Sequence, residues 1–137
     1  MFIQIAPMEG VVDFKVRELL TEIGGIDRTV TEFIRVTNQL LPPKTFYKYA
    51  SELSRGSVTE SGVPVFIQLL GSDPQVRAEN AHRAVELGAK GIDLNFGCPA
   101  KTVNRHDGGA TLLKNPERVF KVVEGVRKSV GLKVPVT

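Results

Sequence analysis

Hydrophobic and polar positions along the chain fall into repeated rounds: a short apolar run, a turn, then an amphipathic segment. "FIQIA" (Phe2 to Ala6) is an apolar run ended by Pro7. Asp13 then stands where a helix N-cap belongs, and Val16, Leu19, Leu20 and Ile23 follow at i, i+3, i+4 and i+7 before Gly24 and Gly25. This predicts a strand and then a helix with those four residues as its apolar face. The second round is "RTVTEFIRV" (Arg28 to Val36) as a strand and its exit, a Pro42-Pro43 break, and a helix around Lys44 to Leu53. The third is "VPVFIQLLG" (Val63 to Gly71), with Asp73 as N-cap, Pro74 at the first helical position and a helix running to Gly88. The fourth is "GIDLN" (Gly91 to Asn95), a long loop, Asn115-Pro116 as cap and first helical position, and Val119, Val122, Val123 and Val126 on one helix face before Gly131. "KVPVT" (Lys133 to Thr137) reads as the opening of a fifth strand.

Strands alternating with helices at a repeat of roughly 30 residues imply parallel pairing through right-handed crossovers. Two architectures share this signature, a doubly wound open sheet and a (β/α)8 barrel. No G-x-G-x-x-G follows the first strand, which argues against a dinucleotide-binding fold. Polar residues sit instead at the exits of successive strands: Met8-Glu9, Thr31-Glu32, Gln68, and Asn95 with Cys98. In a barrel those exits converge on one mouth. The reading is therefore α/β, the N-terminal half of a (β/α)8 TIM barrel, with four βα units and the start of a fifth strand. Since a barrel needs about 200 residues or more, residues 1–137 are expected to be the first part of a larger catalytic domain.

Composition narrows the class without naming a function. The 42% hydrophobic and 24% charged content is that of a globular domain, and the formal charge of +3 permits an acidic partner such as RNA without demanding one. A single cysteine forms no internal disulfide, and no basic segment followed by a long apolar stretch opens the chain as in a secretory signal. No apolar run approaches the roughly 20 residues of a membrane-spanning helix. The expectation is a cytoplasmic protein with no membrane partner.

The chemistry concentrates in "FGCPAKTVNRHDGGATLL" (Phe96 to Leu113), longer than most connections between a strand and a helix. Cys98, between Gly97 and Pro99, has Lys101, Arg105 and His106 close in sequence, and cationic neighbours favour a thiolate. A thiol can give or take a proton; a lone cysteine is also often an inert packing residue. Asn95 and Gln68, each offering a donor and an acceptor, match the edge of a pyrimidine or an isoalloxazine, or else cap their own loops. Gly108-Gly109 serves a phosphate or simply a tight turn. "APMEG" (Ala6 to Gly10) lets backbone approach a flat ring, or merely ends a strand. One cysteine and two distant histidines, His82 and His106, make no metal ligand set, and His82 belongs on a helix surface. No hydrolase triad can be assembled around Cys98.

Taken in order, "APMEGVVD", "TEFIRV", "QLLG" and "DLNFGCPAKTVNRHDGGATLL" resemble the tRNA-dihydrouridine synthase family over the whole chain. Within it, "MEGVVDFKVRELLTEIGGID" with "TEFIRVTNQLLP" is most similar to the bacterial subtype that acts on the sixteenth nucleotide, in the D-loop. The resemblance implies an oxidoreductase dependent on FMN and NADPH, with a TIM-barrel catalytic domain and a C-terminal helical domain that helps hold tRNA. NADPH would reduce the flavin, which passes hydride to C6 of a flipped-out uridine while an acid protonates C5. By the same resemblance, Cys98 is that acid, Pro7 and Met8 line the flavin, and Gln68 bonds its ring system. Asn95 touches the substrate base, and Glu32, Arg35 and Lys101 stand on the RNA side. A flavin-binding lysine on the fifth strand, a histidine on the sixth and the phosphate loops after strands seven and eight would fall beyond Thr137. The complete protein is expected to be a monomer, and the 137-residue chain alone to be inactive and to self-associate through its unpaired sheet edges. Two alternatives stay open: a flavin barrel resembling dihydroorotate dehydrogenase, which also has Asn-x-x-Cys-Pro at a strand exit, and a noncatalytic RNA-binding module.

Overall fold

A computed structural model gives the fold, and the structure describes residues 1–100 and 109–137. Lys101, Arg105, His106 and Gly108 lie outside the described residues. Five strands form one parallel sheet: β1 (Gln4–Ile5), β2 (Arg28–Val30), β3 (Ile34–Arg35), β4 (Val65–Leu70) and β5 (Ile92–Leu94). β1 pairs with β2, β2 and β3 pair with successive halves of β4, and β4 pairs with β5. Val136 then forms a parallel bridge to Ile92, so the chain's last residues begin a further strand beside β5. Each strand is added beside its predecessor, whereas a doubly wound sheet must at some point reverse its strand order. Progression in one direction is how the first half of a barrel is laid down.

The predicted strand Arg28 to Val36 is split in two. Thr29 pairs with Val65 but Ile34 pairs with Leu69, so the register offset falls from 36 to 35 across the break. One extra residue on one strand is a β-bulge. The Thr31 hydroxyl accepts from Gln68 N at 3.0 Å, replacing the ladder bond that the bulge displaces. The bulge turns Glu32 and Phe33 toward the sheet's exit end. β4 is the central strand: all six residues are buried, as expected for a parallel strand covered on both faces.

Among the described residues, the helices that cross behind the sheet are α1 (Phe14–Ile23), α2 (Pro43–Tyr49), α3 (Pro74–Glu86) and α4 (Pro116–Val130). Side chains of Asp13, Asp73 and Asn115 accept from Val16 N, Val76 N and Arg118 N at 2.9–3.1 Å, so each predicted cap is in place. The helix predicted from Lys44 to Leu53 ends at Tyr49 and continues as a 3-10 turn over Ser51–Arg55. α3 packs along α4, where Gly125 admits the Pro74 carbonyl and Ser129 Oγ donates to Ala78 O at 3.0 Å.

α1 departs from the apolar face its pattern predicts. Leu19 and Ile23 are 59% and 76% exposed, while Arg17 and Thr21 are buried. The reason is a long-range ion pair. Arg17 Nε and Nη2 grip Glu52 Oε1 and Oε2 at 2.7 and 3.0 Å, and the guanidinium also donates to Val12 O and Tyr49 O. Leu19 and Ile23 are left outward while Val16 and Leu20 stay half-buried, and Phe2 and Ile3 are also exposed.

Candidate active site

The exits of β1 and β5, the break between β2 and β3 and Gln68 of β4 surround a cavity of about 480 Å3 lined by Pro7, Met8, Glu9, Phe33, Gln68, Asn95, Cys98, Pro99 and Ala100. Its walls are largely apolar, from Pro7, Met8, Phe33 and Pro99, with few polar groups among them. That is the usual make-up of a small-molecule site.

The polar groups are joined in one line. Gln68 and Asp93 are register partners on β4 and β5, so their side chains leave the same face of the sheet. Gln68 Nε2 donates to Asp93 Oδ2 at 2.7 Å, and Gln68 Oε1 accepts from Asn95 Nδ2 at 3.0 Å. Asn95 Oδ1 accepts in turn from Gly97 N at 3.0 Å and Cys98 N at 2.6 Å, folding residues 95–98 into an Asx turn that fixes the Cys98 backbone. The other end of the line is Thr137, whose hydroxyl donates to Asp93 Oδ1 at 2.7 Å. Each amide has two N–H groups and has used one, while both amide oxygens are engaged. Among the described residues Gln68 and Asn95 therefore keep one N–H donor each.

Behind this line Arg77 reaches from α3 into the sheet. Its guanidinium donates to Leu69 O at 2.6 Å, Gly71 O at 2.7 Å and Asn95 O at 3.2 Å, and lies 4.7 Å from the centre of the Phe96 ring. Burial pulls its pKa down to about 9, with nearby Asp93 acting in the opposite direction. Arg77 thus ties the exits of β4 and β5 to each other and to the loop that carries Cys98.

The site residues expected from the sequence divide into three groups. Pro7, Met8, Gln68, Asn95 and Cys98 come together around the cavity, Cys98 half-buried with its carbonyl accepting from Ala110 N at 3.1 Å. Asn95 fulfils the loop-capping alternative and still presents a donor. Glu32 is occupied differently: its carboxylate accepts from Gly10 N and so clasps the "APMEG" turn, while Arg35 is exposed at the end of β3. Lys101 lies outside the described residues. Phe33, Asp93 and Arg77 escaped the sequence reading. An acid between Ile92 and Leu94 in a buried strand needs a partner, and that was the available signal for Asp93; nothing local marks Phe33. Among the described residues no group of three or more histidine, cysteine, aspartate or glutamate side chains could hold a metal ion, and no helix is long and apolar enough to cross a membrane.

Residues 4–137 match the family model described as Dihydrouridine synthase (Dus). The chain belongs to the dihydrouridine synthase family. Members of this family are TIM barrels, and the parallel sheet with its ordered progression is the N-terminal half of one. The chain is 58% identical over its whole length to the tRNA-dihydrouridine(16) synthase of Pseudomonas syringae pv. tomato, covering 43% of that protein. It is 56% identical over 133 residues to the enzyme of the same name from Vibrio cholerae, covering 97% of this chain and 41% of that protein. With the Haemophilus influenzae enzyme of that name the identity is 53% over 133 residues, again 97% of this chain and 43% of the relative. The chain thus spans about two fifths of the length of these curated relatives.

Proposed function

We propose that the complete protein carrying this chain reduces uridine to 5,6-dihydrouridine in the D-loop of tRNA, at the sixteenth nucleotide, using FMN and NADPH. The observation that supports this most directly is the convergence of Gln68, Asn95 and Cys98 on one cavity whose walls are largely apolar and where each of the two side-chain amides keeps an N–H donor. An isoalloxazine and a pyrimidine both offer carbonyl edges that accept from such donors, and both have flat faces suited to Pro7, Met8 and Phe33. The residues present fit the flavin ring, and in this reading Pro7, Met8 and Gln68 hold it. When bound, the reduced flavin supplies the hydride that C6 receives.

The chain's own contribution is placement and a proton. A uridine must leave its stack to be reached. Asn95 meets the extruded base with its spare N–H, and Cys98 Sγ gives the proton that C5 takes, leaving a thiolate that solvent reprotonates. The Asx turn and Pro99 restrict where the sulfur can be, so the acid waits in position. Arg35 contacts the RNA in this reading, as Lys101 does by the family resemblance, while Glu32 shapes the first loop. The exposed Phe2, Ile3, Leu19 and Ile23 support self-association of the 137-residue chain when it stands alone.

The test is Cys98→Ala in the complete protein, with the two half-reactions followed separately. Dihydrouridine formation on unmodified tRNA should fall by about 10²- to 10⁴-fold, while flavin reduction by NADPH stays near that of the unmodified protein. Uridine reduction at an undiminished rate would make Cys98 a packing residue. Turnover of dihydroorotate instead of tRNA would replace the reading with that of a small-molecule flavin enzyme.

A further inference from the structure

A side-chain amide can be placed in either of two orientations that differ only in which end is oxygen. The line of bonds through the cavity removes that freedom at both ends. Asp93, as a carboxylate, can only accept, so the Gln68 atom 2.7 Å away must be nitrogen and the Gln68 oxygen must face Asn95. The backbone N–H groups of Gly97 and Cys98 can only donate, so the Asn95 atom facing them must be oxygen and its nitrogen must face Gln68. The two requirements agree at the 3.0 Å bond between the amides. Reversing Gln68 would set oxygen against the Asp93 carboxylate and nitrogen against the Asn95 nitrogen, losing both bonds. Asp93 is held for this role by its register position opposite Gln68 and by the Thr137 hydroxyl on its other oxygen.

We propose that Asp93 is a positioning residue that fixes the orientation of the Gln68 amide, so that Gln68 presents an N–H donor and no carbonyl oxygen to the cavity. This rests on the proposed function for what the donor recognises: a carbonyl or ring-nitrogen acceptor on the edge of a flat heterocycle. Asp93 touches neither reacting atoms nor ligand and acts only through Gln68.

The experiment compares Asp93→Leu, Asp93→Asn and Gln68→Ala, singly and with Asp93→Leu and Gln68→Ala combined, in the complete protein. Asp93→Leu should weaken FMN binding by about tenfold, the scale of one hydrogen bond to a charged group. Asp93→Asn, which still offers an oxygen, should recover most of that loss. In the Gln68→Ala background Asp93→Leu should cost less than about twofold, because residues that act as one unit are not additive. An independent readout is the Gln68 side-chain NH2 pair in an amide NMR spectrum of the flavin-free protein, assigned by its disappearance in Gln68→Ala. One proton of the pair should be shifted downfield and exchange slowly in the unmodified protein, and the pair should collapse in Asp93→Leu. Additive losses in the double variant would overturn the proposal, as would an unshifted Gln68 pair in the unmodified protein, a test that needs no Asp93 variant to fold. A complete protein that forms no dihydrouridine would defeat the proposed function, and the NMR pair would then decide the role of Asp93 alone.

Discussion

Removing Arg17 isolates the strongest buried electrostatic contact in the described structure. Both side chains of the Arg17–Glu52 pair are fully buried, and the bidentate grip at 2.7 and 3.0 Å leaves no room for water between them. Arg17→Met keeps the length of the side chain but strands the Glu52 carboxylate without a cation. It also removes donors from Val12 O and Tyr49 O. Breaking a buried pair from one side typically costs about 3–5 kcal/mol, whereas replacing both partners with apolar groups is often close to neutral. With an m-value of about 2 to 3 kcal/mol/M, that loss lowers the urea midpoint of the complete protein by roughly 1 to 2.5 M. Arg17→Met/Glu52→Leu should recover more than half of the shift, since no buried charge remains. Equilibrium urea unfolding of the complete protein, followed by circular dichroism, measures both variants. A single-variant midpoint within about 0.3 M of the unmodified protein, or a double variant worse than the single, would refute the claim that the penalty is the orphaned charge. Because Arg17 also holds Val12 O, flavin retention should weaken in the single variant as the turn that carries Pro7 and Met8 loosens.

Gly71→Ala should destabilise the complete protein by about 1–3 kcal/mol, the cost of overpacking, because a Cβ there would stand 2.4 Å from Val36 O across the strand pair; Gly97→Ala, with open space around it, is the control, and equal midpoints for the two in urea would contradict this. Arg77 gives a pH dependence of definite sign. Its folded pKa of about 9 lies below the ordinary guanidinium value, so between the two the unfolded chain binds more protons and stability rises with pH. The cost of burying its charge is complete below about pH 9, and the unmodified protein should gain on Arg77→Met by up to about 1.4 kcal/mol per pH unit above it. A constant difference between the two proteins from pH 9 to about pH 11 would show that the guanidinium keeps its proton throughout.

What could be read from the sequence was what neighbouring residues decide among themselves. Asp13, Asp73 and Asn115 cap their helices because a cap needs only a short polar side chain and the N–H groups two or three residues ahead. The mostly apolar run of Val63 to Gly71 announced a strand, and polar residues at strand exits announced the mouth of a barrel. Two features were hidden, for one physical reason. The bulge between Val30 and Ile34 is a single extra residue relative to β4, and a register offset belongs to a pair of strands, not to either sequence. The inverted face of α1 likewise depends on Glu52, 35 residues away, and helical periodicity sees only four or seven residues ahead. Within the site, Gln68, Asn95 and Cys98 stood out because polar residues ending apolar strands are conspicuous. Asp93 was passed over as part of its strand, and Arg77 as an ordinary helix residue.

The two readings of Asn95, a loop cap and the proposed ligand contact, are compatible. Its backbone N–H donates to Leu69 O at 3.0 Å, its carbonyl accepts from Arg77, its side-chain oxygen takes both Gly97 N and Cys98 N, and one side-chain N–H is spent on Gln68. Only one N–H remains. A residue bound at so many points cannot shift to meet a ligand, so the ligand must come to it, and the rotational freedom that recognition would otherwise remove has already been lost in folding. The same bonds set the Cys98 backbone relative to that remaining N–H. In the proposed function, a base accepted by Asn95 would therefore meet a Cys98 backbone whose position the Asx turn has fixed. Under that proposal the capping bonds serve the contact, because a proton donor on a loose loop would have to find C5 anew in every turnover.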